Sequence, residues 1–98
     1  MFNKLKQYKD MRSQAKTLQN ALAEESVEVS ERGGKIKVKM DGNLAVQDVI
    51  VDQELLRADQ QSTLQDGIKD AFNNAIKKVQ KIMATKMKEE GGMDMFKR

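Results

Sequence analysis

Acid–base or covalent chemistry has few residues to work with in this chain. Histidine and cysteine are absent, which removes the commonest general base, the thiolate nucleophile and the usual soft metal ligands. Asp48 and Asp52 are the carboxylates whose spacing could bring them to one site. Without histidine or cysteine they would need a metal or a second strongly perturbed acid. Turn and capping roles account for both, and the chain has neither a phosphate-binding glycine loop nor a nucleophile motif. The reading is a non-enzyme with no cofactor, no metal site and no small-molecule substrate.

The chemistry these residue types do support is the binding of a polyanion. Lys9, Arg12 and Lys16 fall at i, i+3 and i+7 and share one face of a helix, with Lys4 and Lys6 nearer its tip. Further along, Asn74, Lys77, Lys81 and Lys88 recur at helical spacing. The net charge is only +3, but residues 1–23 and 60–88 each carry +4 while residues 24–59 carry −4. The basic excess therefore lies in the two end segments. Fourteen of the eighteen basic residues are lysine. Lysine meets phosphate as a point charge, whereas arginine is the better bidentate reader of guanine. Phosphate contacts with weak sequence preference are expected. Only four aromatics are present, too few for a single-strand stacking platform, so double-stranded DNA is the better ligand. Lys35, Lys37 and Lys39 form a further basic row on the open face of one strand, read as protection of a sheet edge in preference to the alternative, DNA contact.

The elements that must position these side chains are two long helices around a small sheet. Tyr8, Met11, Ala15, Leu18 and Leu22 alternate steps of three and four over residues 3–24, the pattern of a helix packing along another helix. Tyr8 is expected in that seam. From Ser26 the period changes to two. Val27 and Val29 share a face, Arg32-Gly33-Gly34 turns the chain, and Ile36, Val38 and Met40 alternate with the three lysines. Asp41-Gly42-Asn43 is a second turn. In the third strand, residues 44–51, Val46 differs in parity from Val49 and Val51, which predicts a β-bulge near Gln47-Asp48.

Asp52 is placed to cap a short helical turn through Leu55 and Leu56. Ser62 with Gln65 forms a capping-box pattern for a last helix over residues 62–90. Its apolar face is Leu64, Ile68, Phe72, Ala75, Val79, Ile82 and Met83. Such a helix is about 44 Å long, more than the diameter of a globular domain of this size, so part of it should project or lie against the first helix. Gly67 within it predicts close approach of another backbone. The fold class is α+β: a long N-terminal helix, a three-stranded antiparallel β-meander, a short helix and a long C-terminal helix. Residues 1–90 form one domain and 91–98 a flexible tail.

Only 39% of the 98 residues are apolar, and a small core with open sheet edges favours a symmetric homodimer. No apolar run is long enough to span a membrane and the N-terminus lacks a signal-peptide apolar region, so a cytoplasmic protein is the default.

Several stretches in this order resemble the YbaB/EbfC nucleoid-associated family. They are the opening Met-Phe-Asn-Lys-Leu, Gly33-Gly34 before Lys-Ile-Lys-Val-Lys, Asp41-Gly42, Val49-Ile50-Val51-Asp52 followed by Glu54-Leu55-Leu56, Phe72-Asn73-Asn74-Ala75 and the Gly91-Gly92-Met93 tail. The resemblance implies a homodimeric, cytoplasmic bacterial protein of the nucleoid that coats or bends DNA, with a part in nucleoid organisation and gene regulation. It also implies a tweezer-like dimer with helices protruding from a joined β-sheet body. The family's usual proline after the strand-ending aspartate is replaced here by Gln53, and the tail lacks the family's apolar, proline-bearing end. The alternative reading is a small dimeric helical adaptor or chaperone binding a protein partner, for which Met83, Met87, Met93 and Met95 would be suited. A membrane-surface role for residues 1–18 is disfavoured because their narrow apolar face is needed for packing.

Overall fold

The structure, a computed structural model, describes residues 2–89 and the side chains of 6–89. Helix α1 spans Phe2–Ala23 without a glycine or proline to interrupt it. Strands β1 (Ser26–Glu31), β2 (Ile36–Asp41) and β3 (Val46–Val51) follow, then two short 3₁₀ turns, and helix α2 at Gln61–Glu89. The sheet is an antiparallel meander in the order β1-β2-β3.

Local sequence explains each junction. Arg32, Gly33 and Gly34 all take positive φ, 55°, 69° and 87°, in the turn between β1 and β2. The predicted bulge is present. Lys39 pairs with Asp48 but Met40 pairs with Val46, leaving Gln47 as the extra residue. Asp52 accepts the Glu54 N–H at 2.8 Å and caps the turn Gln53–Leu56, whose Leu55 is buried.

The core lies between one face of the sheet and α2. Val29, Ile36, Val38 and Met40 from the strands meet Leu55 and Ala71, Ala75 and Val79 of the helix. Alanine at two successive turns lets the helix axis approach the strands. Ile36, Val38 and Val79 are fully buried, each stabilising by roughly 1.5–3 kcal/mol. Leu64, Ile68, Phe72, Ile76 and Met83 flank this cluster half-buried.

Four expectations need correction. The two long helices do not pack along their lengths: every described side chain of α1 from Lys6 to Thr17 is exposed, and only Leu18, Ala21 and Leu22 at its C-terminal end are covered. Tyr8 is consequently 62% exposed rather than part of a core. It is α1 that projects, giving extents of 64 × 24 × 19 Å and a radius of gyration of 18.7 Å, against about 13 Å for a compact chain of this length. The last helix begins at Gln61, not at a cap on Ser62. The preceding turn Ala58–Gln60 already supplies a partner for the Gln61 N–H, the Ala58 carbonyl. Gly67 faces side chains, Ile36 and Arg32, not another backbone. Finally, β2 is the central strand, so its lysines guard no edge. The tail 91–98 lies outside the described residues.

Candidate nucleic-acid interface

Two groups of lysines must be distinguished, those held by carboxylates and those without an ion-pair partner. Lys35 Nζ lies 2.7 Å from Glu54, and that hydrogen bond and charge hold its pKa above the ordinary 10.5. Lys86 bridges Glu25 at 3.2 Å and Glu89 at 3.5 Å and is raised for the same reasons, the Glu25 hydrogen bond first. On the open face of the sheet, Lys39 stands in register between Glu28 and Asp48, and Lys37 between Ser30 and Ile50. Lys39 therefore has a carboxylate in register on each side and Lys37 has none, and neither forms an ion pair among the described residues. Lys9, Arg12 and Lys16 likewise form no ion pair among the described residues, and they lie exposed on the projecting arm α1. Their field is offset within the arm only by Asp10.

On α2, Lys77, Lys81 and Lys88 are likewise exposed and unpaired among the described residues. Lys69 and Lys78 share that condition, although they lie off the stripe that spacing singles out. Only the count of exposed lysines, not their periodicity, could have pointed to them. Asn74 sits differently: its side-chain amide donates to Glu31 Oε1 at 2.5 Å, beside the Arg32–Asp70 ion pair at 3.0 Å. Its amide is engaged on the sheet side of the helix. Lys6 is exposed near the tip of α1, and the side chain of Lys4 lies outside the described ones. The structure therefore brings Lys9, Arg12 and Lys16 together on one arm. It holds the α2 lysines on a second element that meets α1 only at the arm's base.

The carboxylates considered for catalysis are separated by role, since Asp52 caps a turn and Asp48 faces Lys39 across the strands. A shallow open groove lined by Glu25, Lys81, Ile82, Thr85, Lys86 and Glu89 lies between α2 and the α1–β1 corner.

Apolar surface is concentrated elsewhere. Val46, Val49 and Val51 continue the inward row of Met40, Val38 and Ile36 across the sheet, yet Val46 is 47% and Val49 42% exposed because α2 covers β1 and β2 and leaves β3 bare. Leu44, Ile50 and Leu56 add to this exposed border. No described helix is long and apolar enough to cross a membrane.

Comparison with known proteins gives a consistent result. A family model described as the YbaB/EbfC DNA-binding family matches residues 1–93. A nucleoid-associated protein of Alkaliphilus metalliredigens is 33% identical over 96 residues, covering 97% of this chain and 84% of that one. A nucleoid-associated protein of Beijerinckia indica is 30% identical, covering 97% and 95% respectively. The crystal structure of an uncharacterized Helicobacter pylori protein shares the fold with a TM-score of 0.67 at 19% identity, over 80% of this chain and 90% of that one.

Proposed function

The chain belongs to the YbaB/EbfC DNA-binding family, and from that premise we propose that it is a homodimeric nucleoid-associated protein. In this reading it grips duplex DNA mainly through phosphate contacts from its basic helices, with little sequence readout. The observation that carries the proposal is the row Lys9, Arg12 and Lys16, exposed and, among the described residues, unpaired on an arm that stands clear of the domain. Charges in that position meet a phosphate strand without first breaking an internal ion pair. Lys77, Lys81 and Lys88 offer a second set of point charges, and the scarcity of arginine in both sets argues against base readout. The names of the relatives place those proteins at the nucleoid, and we assign the same cytoplasmic location here.

Strand β3 supports the dimer in this proposal. Among the described residues its outer edge has no strand beside it, so its backbone N–H and C=O groups are free to pair with the same edge of a second copy. Such a pairing is self-complementary, as a twofold contact requires. It would also continue the sheet past Val46 and Val49 on the α2 side and Ile50 on the open face, which the single chain leaves exposed.

A second reading, a small adaptor for a protein partner, draws on Tyr8 and Met11, 62% and 67% exposed along the arm. The two readings part on ionic strength. Phosphate contacts weaken steeply with salt, whereas apolar docking does not. Titration of duplex DNA at several salt concentrations, with the charge-reversed arm as the site control, tests the proposal.

A further inference from the structure

An arm that projects needs something to fix its direction, and of its described side chains only Leu18, Ala21 and Leu22 at its base are covered. The last carbonyls of a helix require partners, and α1 has no C-terminal glycine to fold back on them. Locally, the Glu24 N–H reaches the Ala21 carbonyl at 3.3 Å and the Glu25 N–H the Leu22 carbonyl at 3.1 Å, and a distant part of the chain adds two further donors. The Gly42 N–H, at the turn between β2 and β3, donates to the Leu22 carbonyl at 2.9 Å and shares itself with the Glu25 carbonyl at 3.1 Å. The Asn43 side-chain amide donates to the Gln19 carbonyl at 3.0 Å, one turn earlier on the helix. Gly42 is buried against the Leu22 backbone, and a Cβ there would run into the Leu22 carbonyl.

The turn that makes these contacts is itself braced. Asp41 Oδ1 accepts the N–H groups of Asn43 at 2.8 Å and Ala45 at 3.1 Å, and the Asp41 N–H donates to the Ala45 carbonyl at 2.9 Å. Leu44 takes a left-handed φ of 65° within it. The turn thus presents two donors in fixed positions to the base of the helix.

We infer that the Asp41–Ala45 turn is the clasp that sets the direction of the α1 arm, with Gly42 and Asn43 as its positioning residues, and so sets how the basic row meets DNA. The second half rests on the function proposed above. Leverage makes the clasp consequential. An arm of 22 residues is about 33 Å long, so a change of ~10° at its base moves the tip by roughly 6 Å, close to two phosphate steps along one strand. The same turn leads directly into β3, so the edge offered to a second copy and the arm offered to DNA are joined through five residues.

The chain has no cysteine, so Gln14→Cys and Asn73→Cys place two spin labels uniquely on exposed sites of α1 and α2. Labelled protein diluted into unlabelled protein reports the arm's angle as an intramolecular distance. The native clasp gives one narrow distance peak. Asn43→Asp, which keeps the size and drops the donor, and Asn43→Ala both broaden or displace it while helical content and the unfolding midpoint stay near native. Gly42→Ala displaces it further. On duplex DNA, the Asn43 variants lose roughly one to two phosphates per protomer from the log–log salt slope. If Gly42→Ala does not fold, the Asn43 pair decides. An unchanged peak in folded Asn43 variants overturns the clasp, and a displaced peak with an unchanged salt slope overturns its bearing on DNA. Native protein that ignores DNA refutes the proposed function, and the distance measurement then still decides the clasp.

Discussion

The terminal methyl of Ile36 occupies the space that a Cβ on residue 67 would need, so Gly67 lets α2 pack directly over Ile36 of β2. Ile36 is fully buried and Arg32 packs on the same site while pairing with Asp70 at 3.0 Å. Ile36, enclosed on all sides, would have to shift to admit the methyl. Gly67→Ala gains about 1 kcal/mol of helix propensity, but overpacking a closed core costs typically 1–3 kcal/mol. The expected result is net destabilisation of roughly 1 kcal/mol in urea unfolding, and a stabilised variant would show that the helix can lift away from Ile36.

Much of this fold is legible in the sequence because it is local. Alternation over Ser26–Glu31 and Ile36–Asp41, the paired glycines between them and the parity change at Gln47 each follow from neighbours along the chain. The three-and-four spacing of α2 likewise marks its buried face. The same spacing in α1 misleads, since it specifies that a helix has an apolar stripe without saying which surface covers it. Tyr8 and Met11 find no cover among the described residues. The clasp on α1 is also illegible, because Asp41-Gly42-Asn43 reads as an ordinary turn and its bonds to Gln19 and Leu22 span about twenty residues. For the site, spacing finds the row Lys9, Arg12 and Lys16. Periodicity cannot show that Lys35 and Lys86 are held by carboxylates, nor that Asn74 is turned to Glu31.

The bare strand β3 gives a prediction about assembly. Val49→Lys sits on a residue already 42% exposed, so the single chain tolerates it. Across a twofold contact it sets like charges near one another, which costs several kcal/mol. The dimer dissociation constant should rise on the order of a hundredfold, read by analytical ultracentrifugation. A variant with native dimer mass at micromolar concentration would place the interface elsewhere.

The Lys86–Glu25 ion pair ties α2 to the α1–β1 corner, and its pH dependence has a definite sign. The folded pKa of Lys86 is raised above 10.5 by Glu25. The pair's contribution is therefore fully present below the unfolded lysine value and is lost as pH rises through the folded one. Any difference in urea midpoint between native protein and Lys86→Met should be constant at neutral pH and disappear as pH rises through the raised lysine value. A difference that persists there would mean that the lysine acts through packing of its methylenes.

Binding of DNA through the arm's charges is read by a gel shift with random-sequence duplex DNA over a series of salt concentrations. A straight log–log decline is expected, with a slope that corresponds to several phosphates. The shift is lost in the triple variant Lys9→Glu, Arg12→Glu and Lys16→Glu while the proposed dimer persists. Absence of binding by the native protein at low salt, or binding indifferent to salt and to the charge reversal, would contradict it.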